Sequence, residues 1–516
     1  MKSARIVSLI TFLGFAARLA RAGEPFAGFE NEGLVGVGRV PAATFDQRGA
    51  ALDTLGGFFS GMAFDPATLR MTDDPARGTV LTGELFGLAD RGFGDGAMDY
   101  RPRFHTFLAE IVPDYTSWPA AQNQITLRPI ATRLFHDEKG ADFTGCDADP
   151  KFTLYPRSFR GDQLIGEQRT PGSLGAGRRS LDAEGLVLLR DGSLWVADEY
   201  GPLLHHFTRD GVLLETLTPP AAMLPRKGPR FGARANDFGA SVFSAETGQP
   251  DSGRADNRGF EGLAITPDEK RLVAALQSPL VQDSGTPAQK ASALFTRLLF
   301  FDLEPGSVTR GKVVAEYVYA LHRTNTEGHP QTVLSDLLAL NDHQFLALEH
   351  DGFGRGQTKP GPDATAPQVK RVVLVEVNGA TNLAGTGYDL EKGAPGQLSL
   401  PADSLPADIT PVTTRDFIDL LDGSQLARFG LNAKSHQDSD ENTLAEKWEG
   451  LAIVPLRDPV HPDDVLLLVG NDNDFKARKV FHEGEIVATN DYALDTMILA
   501  YRVALPEWRT NLETAK

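Results

Sequence analysis

Three Glu-Gly-Leu triplets stand far apart in the chain: Glu184-Gly185-Leu186, Glu261-Gly262-Leu263 and Glu449-Gly450-Leu451. Each is followed, about one hairpin later, by an acid or an amide: Asp198, Gln277 and Asn471. Two other stretches keep the plan, with Ser60 ahead of Asp90 and Ser335-Asp336 ahead of Glu349. Carboxylates brought together repel and raise one another's pKa unless a cation lies among them. An oxygen-only donor set, with no cysteine–histidine pattern, suits calcium or magnesium better than zinc. The expected ligands of a divalent cation, calcium first, are therefore Glu184, Glu261, Glu449, Asp90, Asp198 and Glu349. Such a cation would polarise a phosphoryl or ester oxygen or activate water, with Glu184, Glu261 and Asp198 as the catalytic carboxylates. Arg91, Arg258 and His205 are the candidate contacts for an anionic substrate.

Each of these residues also has a plainer reading. A Glu before Gly at a strand start can simply satisfy backbone donors in an entry turn, and only the repetition with acids at the paired strand ends argues for a site. His205 and His206 are neighbours on one strand, so one faces inward and the other outward. His350, beside Glu349, is either a general base or a solvated turn residue, and Tyr200 reads as a packing residue. The chain has no G-x-S-x-G elbow, no H-E-x-x-H and no phosphate-binding G-x-x-x-x-G-K-[ST].

The elements that must position these groups are short hairpins. Residues 180–202 read as two strands around the Asp191-Gly192 turn, a strong hairpin signal. In an antiparallel pair the start of one strand lies beside the end of the next, so Glu184 and Asp198 should meet at one sheet edge. Leu203–Phe207 and Val212–Leu217 then complete a four-strand meander. Related units begin at Ser60, Glu261, Ser335 and Glu449. A recurring four-strand unit is the mark of a β-propeller. The fold class is therefore all-β, with five recognisable blades and six or seven expected, because the two longest gaps have room for more. Leu34–Val40 is placed to close the ring against the last blade. Phe417–Leu421 reads as one or two helical turns ending before Gly423. A sandwich, or several small β domains, is the competing architecture.

Gly 52 and Pro 33 in 516 residues favour turns over helical bundles. The net charge of −18 argues against nucleic acid or an anionic membrane as partner. Residues 1–22 read as an export signal: Lys2 and Arg5, an apolar run Ile6–Ala17, and Ala20-Arg21-Ala22 as the cleavage site. The mature chain, about 23–510, reads as one domain with insertions at about 112–179 and 385–446. In the first, Asp147 and Asp149 read as a solvated turn. Cys146 is the only cysteine, so no internal disulfide forms. That suits a bacterial periplasm or exterior and leaves stability to core burial.

Asp182-Ala183-Glu184-Gly185-Leu186, Trp195–Pro202, Arg258–Leu263 and Ala275–Ser278 together resemble the phytase-like family, also called esterase-like activity of phytase. Ser335-Asp336 and Leu348–Gly352 extend the resemblance, which covers roughly Gly57 to Val503. It implies an exported β-propeller with phosphoester or ester hydrolase activity on a small molecule. A non-catalytic binding propeller and a lactonase-like hydrolase remain as alternatives.

Overall fold

The computed structural model describes residues 24–511, apart from 50–51, 95, 97, 147–177, 225–251, 256, 285–292, 327–328, 358–364, 390–397 and 399–403. The expected export signal at 1–22 and the Asp147/Asp149 pair lie outside the described residues. Apolar runs punctuated by Gly, Asp and Asn turns fold as antiparallel strands. β1 (Glu30–Val40) comes first, then β2 (Phe58–Asp74), β3 (Gly78–Ala89), β4 (Arg103–Ile111) and β5 (Ile125–Leu134), which pair in sequence as blade 1. Blade 2 is β6 (Ala183–Leu188), β7 (Leu194–Asp198), β8 (Leu203–Phe207) and β9 (Leu213–Leu217). Blade 3 is β10 (Phe260–Ile265), β11 (Arg271–Leu276), β12 (Phe295–Asp302) and β13 (Val313–Ala320). A small hairpin, β14 (Arg323–Thr326) and β15 (His329–Gln331), leads to blade 4: β16 (Val333–Ala339), β17 (Gln344–His350), β18 (Lys370–Glu376) and β19 (Thr413–Asp419). After a short helix α1 (Gly423–Arg428) come β20 (Trp448–Pro455) and β21 (Asp464–Asn471), a projecting hairpin of β22 (Lys479–His482) and β23 (Glu485–Thr489), and β24 (Thr496–Ala504).

Blade 5 is completed from the other end of the chain. β1 pairs antiparallel with β24, from Glu30 opposite Ala504 to Val40 opposite Thr496, so the sheet order is β1-β24-β21-β20. The innermost strands touch in cyclic order, β2 to β6, β6 to β10, β10 to β16, β16 to β20 and β20 back to β2. The molecule is a β-propeller, and among the described residues it has five blades. The described residues of the two long gaps include the fourth strands of blades 1 and 4.

Strand alternation explains the core. The inner strands of the blades are buried on both faces, so they read as near-continuous apolar runs. In blade 3, Leu263, Leu272 and Leu299 pack toward Trp195 and Leu204 of blade 2, while Ala264, Val273 and Leu298 pack toward Phe345 and Val373 of blade 4. The remaining interfaces are built the same way. Phe417–Leu421 is not helical: Thr413–Asp419 pairs with β18 from Glu376 to Arg371, and the only α-helix among the described residues starts after Asp422. The Asp422 carboxylate accepts from Ser424 and Gln425 N–H as an N-cap.

At one end of the central channel the carboxy-terminal segment Trp508–Asn511 crosses the opening. Arg509 N–H donates to Leu340 O at 3.1 Å and Asn511 Nδ2 to Leu188 O at 2.8 Å. Behind it lies a cavity of about 100 Å³ walled by Leu186, Leu263, Leu337 and Leu451. The acidic residues gather at the opposite end.

Candidate metal centre at the channel mouth

Every innermost strand carries a register shift at the same point. The pairing skips Glu184-Gly185 in β6, Glu261 in β10, Ser335 in β16, Glu449 in β20 and Phe59-Ser60 in β2. These are β-bulges, which bend a strand and re-aim one side chain out of the ladder. In four of the five strands a glycine follows the re-aimed residue: Gly61, Gly185, Gly262 and Gly450. A Cβ on Gly185 would lie 2.6 Å from Glu261 O, and one on Gly61 would lie 2.4 Å from Glu184 O. The Glu and the Gly of each triplet thus do different work: the Gly lets neighbouring blades approach, and the Glu is turned toward the channel. In blade 4 Asp336 replaces that Gly. Its carboxylate accepts from Leu337 N–H and, across the blade gap, from Leu451 N–H, each at 2.7 Å.

The three re-aimed glutamates open on a cavity of about 300 Å³. Asp182, Glu184, Glu199, Glu261 and Glu449 line its acidic side, Arg91, Asn257 and Arg258 its rim, and Asp90, Lys447, Asp474 and Lys476 the far side. Asp182, Glu184 and Glu199, all buried, each offer a carboxylate oxygen within 4.8 Å of the others. Asp182 Oδ2, Glu199 Oε1 and Glu261 Oε2 are buried without a hydrogen-bond partner. Burial first, then Glu261, Asp182, Glu449 and Glu199, pushes the Glu184 carboxyl well above the usual range. Burial, then Glu199 and Glu449, does the same to Glu261, against weaker opposing pulls from Gln277 and Arg258. Several carboxylate oxygens crowded together are the donor set of a hard divalent cation, so the residues fit such an ion.

The expected residues divide accordingly. Glu184, Glu261, Glu449, Asp90, Arg91 and Arg258 meet at this cavity. Asp90 Oδ1 accepts from Gly92 N–H at 2.8 Å, and burial pushes its carboxyl up to about 6. Arg91 lies 3.3 Å from Asp182 Oδ2 and donates to Asn257 Oδ1, while Arg258 donates to Gln277 Oε1. Asp198, Glu349 and His205 stand elsewhere. Asp198 does meet the start of β6, as the hairpin requires, but it is fully buried and accepts from Asp182, Tyr200 and Gly201 N–H. It shapes the turn that delivers Glu199. Glu349 is enclosed in blade 4, accepting from Tyr319 Oη, Thr332 Oγ1 and His322 N–H. His205 is buried in blade 2, with Nδ1 2.9 Å from Thr216 Oγ1.

His350 reaches the cavity, but its Nδ1 accepts from Gly352 N–H at 3.1 Å. Nε2 is then the protonated nitrogen, directed at Glu449 Oε1 3.8 Å away, which makes it a donor and not a base. Ser60 and Ser335 turn their hydroxyls to backbone carbonyls, Gly57 O at 3.2 Å and Trp448 O at 2.8 Å. The reading from sequence did not assign Asp182, Glu199, Asn257, Lys447, Asp474 or Lys476. Asp182 had a signal, since it lies two residues before Glu184 on the same extended side.

A family model described as phytase-like, "esterase-like activity of phytase", matches residues 54–475. An uncharacterized secreted protein of Arthroderma benhamiae is 30% identical over 476 residues, covering 87% of each chain. Among solved structures, extracellular domains 1-2 of Drosophila semaphorin 1b align at 9% identity over 93% of this chain and 88% of that one, with a TM-score of 0.25. A luciferin-regenerating enzyme aligns at 8% identity over 90% and 97%, with a TM-score of 0.27. At such scores neither carries an argument.

Proposed function

The chain belongs to the phytase-like family, and from that membership and the acidic channel mouth we propose an exported, cation-dependent hydrolase of a phosphoester or carboxyl ester. The observation that carries the reading is the buried convergence of Asp182, Glu184 and Glu199, with an oxygen lacking any hydrogen bond on Glu199 and on the adjacent Glu261, and Asp182 Oδ2 facing Arg91 at 3.3 Å. Asp182, Glu184 and Glu199 would hold the ion, calcium by its preference for several carboxylate oxygens, with Glu449 beside them. When bound, the ion supplies positive charge that polarises the substrate's ester oxygen. Arg91 and Arg258, at the rim, orient the anionic or ester group. Glu261 is held by Gln277 through Oε1, leaving Oε2 as the atom placed to take a proton from attacking water.

Export is supported by the basic-then-apolar start of the chain and by the secreted description of the fungal relative. Among the described residues no helix is long and apolar enough to cross a membrane.

The test is turnover by purified protein of phosphomonoester, carboxyl ester and lactone substrates, with calcium and with chelator. Hydrolysis of a phosphomonoester or carboxyl ester that chelator abolishes and calcium restores is expected. Turnover of lactones alone would replace the substrate class. Calcium binding without turnover of any substrate would make this a binding propeller.

A further inference from the structure

We propose that Lys447 is a built-in cation, occupying the second half of a two-part carboxylate site whose first half is the candidate metal centre. The inference rests on the proposed function only for that first half. The channel-mouth acids form two groups that meet at Glu449. One is Asp182, Glu184, Glu199 and Glu261; the other is Asp90, Asp472 and Asp474. Glu449 acts electrostatically on Glu184 and Glu261 in the first group and on Lys447 in the second. In the second group a lysine ammonium stands where oxygen donors converge. Lys447 Nζ lies 2.6 Å from Asp474 Oδ1 and 3.6 Å from Asp472 Oδ2.

Local structure explains the arrangement. Lys447 immediately precedes β20, and Asp472 and Asp474 follow its hairpin partner β21, whose Asn471 lies opposite Trp448. One hairpin therefore brings both signs to the rim. Asp474 is shared, since Lys476 Nζ takes Oδ2 at 3.0 Å and Glu446 Oε1 at 3.2 Å. Asp472 is only 2% exposed, and its Oδ2 has no hydrogen-bond partner. That oxygen faces the Lys447 ammonium at 3.6 Å. A lysine is a compact point charge with three donors, the nearest side-chain equivalent of a hard cation. A quarter of its side chain remains open to the cavity. It therefore fixes positive charge beside bound substrate without recruiting a second ion.

The test is calcium titration by calorimetry on the full chain and on Lys447→Met and Lys447→Gln, with thermal melts in chelator and in calcium. Each variant is expected to bind one more calcium ion per chain than the parent, to melt lower in chelator, and to gain more from calcium. Lys447→Arg should behave as the parent. Unchanged stoichiometry and an unchanged calcium-dependent gain would overturn the proposal, as would variants insoluble even with calcium, because the ion should stand in for the ammonium. Calcium uptake by the variants but not by the parent would uphold Lys447 and sink the metal centre. Equal uptake by both would do the reverse, and no uptake by either would sink both.

Discussion

Neighbouring residues of one type have unlike fates in this chain. Asp198 and Glu199 are adjacent acids at the end of β7, yet Asp198 turns inward to three backbone amides and Glu199 faces the cavity. Sequence pointed to the pair but not to the division, because strand alternation fails where a strand enters a turn. His105 shows the cost of burial at the same scale. It is 1% exposed on β4 with Nδ1 2.9 Å from Thr132 Oγ1, and burial, then Arg103, holds its pKa down to about 3. An unfolded histidine titrates near ~6.5. Between those values the unfolded chain binds a proton that the native state refuses, so stability falls as pH drops from the upper value toward the lower. The slope reaches ~1.4 kcal/mol per pH unit. Urea unfolding at pH 7 and pH 5 should show a smaller fall for His105→Gln than for the parent. An equal fall would assign the acid limb to other groups.

At the scale of elements, the repeated hairpin was legible and its bulge was not. The Asp191-Gly192 turn marks β6 and β7, and Gly192 takes the left-handed conformation that the turn needs, at φ 85°. The bulge appears only when two strands are aligned, so the Glu-Gly pair read equally as an entry turn. The structure gives the glycine its own reason, the close approach of the next blade. Gly185→Ala would place a methyl 2.6 Å from Glu261 O and Leu263 Cβ and 2.8 Å from Leu263 N. Backbone cannot yield as a flexible side chain does, and overpacking of this kind costs ~1–3 kcal/mol. Chemical denaturation should find Gly185→Ala destabilised by that much. A variant as stable as the parent would show that blades 2 and 3 can separate. The fourth strands of blades 1 and 4 were hidden for another reason. They lie at the outer edge, with exposed positions such as Thr126 and Arg128 interleaved among buried ones.

The whole molecule is a ring closed by its own termini, with β1 hydrogen-bonded into the last blade. This holds the ring closed without a disulfide; Cys146 is buried, with its Sγ donating to Met98 O at 3.1 Å. The ring was legible in the recurrence of the units, and their number was obscured by unequal loops. Its geometry brings acids distant in sequence to one mouth, while Trp508–Asn511 crosses the other. The most direct measurement is calcium binding by calorimetry to the parent chain and to Glu184→Gln, each checked for folding by thermal melts in chelator. The parent should bind calcium and melt higher in its presence. Glu184→Gln should fold as well in chelator yet bind no less than ~10–100-fold more weakly, the loss that removing even an outer partner brings. A parent chain whose melting ignores calcium, or a variant that binds it equally well, would contradict a cation site at the centre of the ring.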